Sequence, residues 1–74
     1  MRELDFLFLN YLEHAYVSAP REEQLTFQRL LGYQDQEIFD WMMETAQPTD
    51  AALREMVVLI RETSSAVARA QIDS

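Results

Sequence analysis

The chain has no cysteine and no lysine, one glycine, one histidine and two prolines among its 74 residues. Each shortage removes a class of explanation. Without cysteine, neither a disulfide framework nor a thiolate metal site can brace so short a chain, and a reducing compartment suits it. A single glycine excludes a glycine-rich phosphate loop and a dinucleotide fingerprint. No apolar run approaches the roughly 20 residues that span a bilayer. Glu3 and Asp5 interrupt the apolar run a secretory signal would need. With lysine absent, six arginines face 13 acidic residues and the net charge is −7. No basic stripe runs along the chain, so a phosphate backbone would repel it and nucleic acid is not the expected partner.

What is present reads as one folded domain over 1–74, soluble and cytoplasmic. At 49% hydrophobic and 26% charged, it has the composition of a globular chain. At this length it buries only about 60% of its unfolded surface. In the opening stretch MRELDFLFLNYLEHAY, Leu4, Phe8, Tyr11, Leu12 and Ala15 recur three and four residues apart, one face of a helix. Phe6, Leu7, Leu9 and Tyr16 widen that face, which predicts a central helix with more than one neighbour, ending near Ser18.

Pro20 suits the first turn of a second helix, with Glu22 and Glu23 at its positive end. Phe27, Leu30 and Leu31 form its apolar side, and Gly32 is a candidate left-handed terminator. Asp35 is an N-cap candidate for a short third helix over 36–44, with Ile38, Phe39, Trp41, Met42 and Met43 as its apolar content. TAQPTD is the clearest loop, and Thr49 or Asp50 caps a last helix in which Leu53, Met56, Val57 and Ile60 repeat at helical spacing. Beyond Thr63 the large apolar residues thin to Val67 and Ile72, which predicts a frayed or flexible tail over 64–74. No strand or hairpin pattern occurs. The expected fold is all-α, a small antiparallel bundle of four helices.

Chemistry finds little support in the residues themselves. His14 and Glu13 are adjacent, and residues one apart do not face each other on a helix; one imidazole is also a poor metal site. Asp35, Glu37 and Asp40 lack the alternating ligands and central glycine of a calcium loop, which leaves capping and solvation. Ser64 and Ser65 have neither a histidine nearby nor a nucleophile elbow. Trp41, Met42 and Met43 read chiefly as core, although so short a helix can leave part of the cluster for a partner. Arg2, Glu3 and Asp5 read as a solvated first turn whose acids complement the helix dipole.

Taken together, MRELD, NYLEHAY, FQRLL, IFDWMM and DAALREMVVLI resemble the FAD assembly factor family, ungapped from Met1 to about Glu62. The most specific pieces are Arg2-Glu3-Leu4-Asp5, Glu13-His14 with Tyr16, and Phe39 with Trp41-Met42. The resemblance implies a small helical factor that is not an enzyme. It would hold no cofactor stably and would promote FAD attachment to the flavoprotein subunit of succinate dehydrogenase or fumarate reductase.

The family's signature is an Arg-Gly pair followed two residues later by a glutamate. Glu3 falls on that glutamate, with Met1 and Arg2 between. The Arg-Gly half and a short preceding helix would lie upstream of Met1, implying a start assigned to an internal methionine or a truncated chain. Met1, Arg2, Glu3 and Asp5 are then the implied partner-binding residues. A monomer is expected, with self-association where the missing helix would bare Phe6, Leu7 or Leu9. The competing reading is an antitoxin-like or general acidic adaptor with no flavoprotein client.

Overall fold

A computed structural model describes residues 2–73. Four α-helices follow one another: α1, Arg2–Tyr11; α2, Arg21–Leu30; α3, Asp35–Met42; and α4, Ala51–Asp73. A five-residue π-helical segment, Leu12–Tyr16, continues α1 before the chain turns. No strand occurs among the described residues, and the all-α bundle expected from the periodicity is what forms. Among the described residues no helix is long and apolar enough to cross a membrane.

The long helix α4 is the shared wall. α1, α2 and α3 all pack on it, and α1 also touches α3. The opening helix therefore has the two neighbours its breadth predicts, yet α4 is the element common to all. The core joins Leu4 and Tyr11 of α1 to Phe27 and Leu30 of α2, Ile38 and Met42 of α3, and Leu53, Met56, Val57 and Ile60 of α4. These are the helical-spacing positions, because a stripe repeating every three to four residues keeps facing one way. Each such side chain contributes about 1.5–3 kcal/mol on leaving water.

Aromatic rings lock the end of α1 to α2. Tyr11 and Phe27 lie 4.8 Å apart between centroids, and Phe8 meets Phe27 edge-on at 5.9 Å. The buried Tyr11 hydroxyl donates to the Glu23 carboxylate. Burial, then that bond and the Glu23 charge, push the Tyr11 phenol well above its ordinary range. Tyr16 closes the corner: its carbonyl accepts from Gln24 Nε2 at 2.7 Å and its hydroxyl from Gln28 Nε2 at 2.8 Å.

Helix ends depart from expectation in several places, and Pro20 is the N-cap of α2 rather than part of its first turn. Gly32 does not adopt a left-handed conformation; α2 instead unwinds through turn bonds from Gly32 to Arg29 and from Tyr33 to Leu30. A Cβ on Gly32 would lie 3.3 Å from the Arg29 carbonyl oxygen, so the glycine serves a close approach rather than a positive φ. Gln34, not Asp35, occupies the N-cap position of α3, and Asp35 becomes its first helical residue.

The left-handed residue is Glu44, at φ 64°, just past α3. There the Thr45 N–H reaches the Asp40 carbonyl at 3.0 Å and the Glu44 N–H reaches Trp41 at 3.2 Å. That pair of bonds is a Schellman termination. Asp50 caps α4 as expected, its Oδ1 accepting from the Ala52 N–H at 2.8 Å.

α4 also runs on to Asp73, past the point where thinning apolar content predicts fraying. Alanine, arginine and glutamine in this segment are good helix formers, and Asn10 Nδ2 donates to Ser64 Oγ at 2.8 Å, anchoring its start to α1.

Candidate functional site

Arg2 and Glu3 sit in the first turn of α1, at one edge of a groove of about 580 Å³. α1 supplies Phe6 and Leu7 to one wall, while Met42 and Met43 enter from the end of α3. Arg61, Ser64, Ser65 and Ala68 line the α4 side. The groove lies where α1, the end of α3 and α4 meet. The Schellman turn ends α3 at that point and turns the chain away. It leaves Met42 buried and Met43 half-exposed.

Glu44, on that turn, receives Arg61 Nη1 at 2.9 Å, which ties the α3 terminus to α4 beside the groove. Ser64 is engaged by Asn10, one helical turn beyond Phe6 on α1.

The sequence-predicted residues divide. Arg2 and Glu3 are brought together at the groove, whereas Asp5 is exposed and does not line it. Met1 lies outside the described residues. The opposite wall was not legible: Ser64, Ser65 and Ala68 belong to the stretch read as a tail, and Arg61 carried no motif. The only sequence-level hint was Met42-Met43 at the end of a helix too short to bury its whole apolar content.

Other candidates stay apart from this groove. His14 Nε2 lies 3.8 Å from Glu13 Oε2, closer than neighbours on a regular α-helix were expected to come. Both stand in the π-helical segment, where the backbone winds more loosely. Asp40 accepts from Gln36 Nε2 at 2.9 Å, one turn of α3 apart. Among the described residues no three histidine, cysteine or acidic side chains converge as a metal site would require. Asp50 accepts Arg29 Nη1 at 2.8 Å, and that hydrogen bond holds its carboxyl below the usual range, with the Ala52 N–H adding to the effect.

The arrangement offers a largely apolar trough with Arg2, Glu3 and Arg61 along it. Apolar area of this kind can supply affinity to a partner, and charges at its edge can orient one.

The family described as flavinator of succinate dehydrogenase matches residues 1–64. The chain belongs to this family. The match takes in Arg2, Glu3, the α3 terminus, Arg61 and Ser64, and so reaches both walls of the groove. The FAD assembly factor SdhE of Pseudomonas aeruginosa is 40% identical over 60 residues, 81% of this chain and 71% of that relative. The protein of the same name from a Serratia species is 39% identical over 61 residues, 82% of this chain and 69% of its own. The one from Yersinia pseudotuberculosis is 38% identical over 66 residues, 89% and 75%. No solved structure matches the chain. The family membership read from MRELD and the spaced motifs is thereby shown.

Proposed function

We propose that the chain is an assembly factor, not an enzyme, that acts in the cytoplasm on the flavoprotein subunit of succinate dehydrogenase and promotes covalent attachment of FAD. The flavoprotein subunit of fumarate reductase is proposed as a second client. The observation that carries this reading is the family match over residues 1–64.

The factor supplies no chemistry of its own and holds no flavin stably. It binds the client and favours the conformation in which attachment proceeds. Its effect is then bounded by differential affinity: raising a state from 1% to 99% of the client takes about 10⁴-fold tighter binding to that state. Met1, Arg2, Glu3 and Asp5 form the proposed contact. A charged first turn on a rigid helix orients such a contact, and the groove beside Arg2 and Glu3 offers apolar area next to the charges.

The test is covalent flavin on the client subunit in cells whose own factor has been deleted and replaced by this chain or its Glu3→Ala variant. Wild-type chain is expected to restore the flavin and the variant to lose most of it. No restoration by wild type overturns the client assignment; full restoration by Glu3→Ala overturns only the role given to Glu3.

A further inference from the structure

The outward side of α1 carries a pattern that shares Arg2 with the proposed client contact and Phe6 with the groove wall, and extends beyond both along the helix. Arg2, Phe6, Leu9 and Glu13 succeed one another at spacings of four, three and four, so they form one strip along the helix. The strip looks away from the core: Phe6 is 58% exposed and Leu9 55%, whereas Leu4 and Tyr11 on the inner side are 1% and 0%. Single exposed apolar side chains are ordinary on a protein surface. Two large ones in succession, bounded by a cation at one end and an anion at the other, form a directional pattern.

Both end charges are available. Arg2 has no ion-pair partner among the described residues. The Glu13 side chain is 68% exposed and approached only loosely, by His14 at 3.8 Å.

We propose that this strip pairs with the same strip of a second copy, α1 against α1, antiparallel about a twofold axis. With the axis between Phe6 and Leu9, positions whose numbers sum to 15 oppose each other. Phe6 then meets Leu9 of the second copy, and Arg2 meets its Glu13, each contact made twice. This is the self-complementarity a twofold interface demands. A parallel pairing would instead set Arg2 beside Arg2 and Glu13 beside Glu13. The end charges lie roughly 16 Å apart along the helix at about 1.5 Å per residue, Glu13 standing in the π-helical continuation of α1, so one helix pair spans both.

Each chain carries a net charge of −7, which opposes association at long range and leaves the short-range strip to hold the pair. The dimer is therefore weak and concentration-dependent. The pairing does not rest on the client assignment, since it uses only the strip's own geometry.

Sedimentation equilibrium of the full chain from micromolar to millimolar concentration tests it, with circular dichroism confirming that each variant is helical. A monomer–dimer equilibrium is expected. Arg2→Glu alone and Glu13→Arg alone each raise the dissociation constant by about tenfold or more, and the double reversal returns it towards the wild-type value. Phe6→Glu, at an exposed position that tolerates polarity, abolishes the dimer. A chain that stays monomeric throughout overturns the proposal. So does a dimer indifferent to the single reversals, or one that the double reversal leaves impaired.

Discussion

Leu4, Leu7, Phe8 and Tyr11 on one side of α1 meet the other helices, while Phe6 and Leu9, just as apolar, point outward within the same ten residues. The two sides differ in what α2, α3 and α4 cover, not in apolar character. The inner side sets stability, because removing atoms there leaves a cavity among fixed neighbours. The outer side is exposed, so it contributes little to folding.

The largest expected effect separates the two sides directly. Leu4→Ala should cost about 2–5 kcal/mol of unfolding free energy, read from urea titration at low protein concentration. Phe6→Ala, its exposed counterpart, should change stability by no more than about 0.5 kcal/mol. Equal losses at the two positions would break the contrast.

Tyr11 sharpens it next. Tyr11→Phe keeps the ring against Phe27 but removes the hydroxyl that donates to Glu23, at a cost of about 1 kcal/mol. The pH dependence has a definite sign. Burial and Glu23 raise the phenol's folded pKa, so its contribution is complete below the unfolded value of about 10 and is lost as pH rises towards the higher folded value. Alkaline melting curves should show a steeper decline for wild type than for Tyr11→Phe; identical declines would remove Tyr11 as the cause.

The smallest effect lies at the start of α4, on an exposed contact. Arg29 and the Ala52 N–H lower the Asp50 carboxyl, so its contribution is present above the unfolded carboxylate value of about 4 and fades as pH falls through the lower folded one. Asp50→Asn should lower the melting temperature slightly at neutral pH and flatten the acid limb of its pH profile. An acid limb unchanged in the variant would assign the acid loss to other groups.

Much of the fold was legible because amphipathic periodicity is a local property that burial only has to honour. Leu53, Met56, Val57 and Ile60 were identifiable as one face of a helix, and all four are buried. Asp50 was identifiable as a cap because a side-chain oxygen before a helix meets an orphan N–H whatever the rest of the chain does. Gly32 and Glu44 misled in opposite directions. Glycine permits a left-handed turn without compelling it, and Glu44 takes one where Arg61, 17 residues later, holds its carboxylate.

The first turn of α1 was visible as Arg2-Glu3-Leu4-Asp5, but not that Arg2 and Glu3 share a groove from which Asp5 is left out. The opposite wall comes from 61–68, more than fifty residues away, in a segment whose small side chains carried no signal of their own.

By itself, then, the sequence determined the all-α class, the spacing of the buried faces, the acidic surface and the family. All of these follow from composition, from spacing within a few residues, or from motif order. Tertiary structure decided which half of the apolar surface of α1 is core and which stays exposed. It also placed the groove and made α4 the wall the other helices share. Those outcomes depend on how distant segments occlude one another, and no local pattern records what will lie against it.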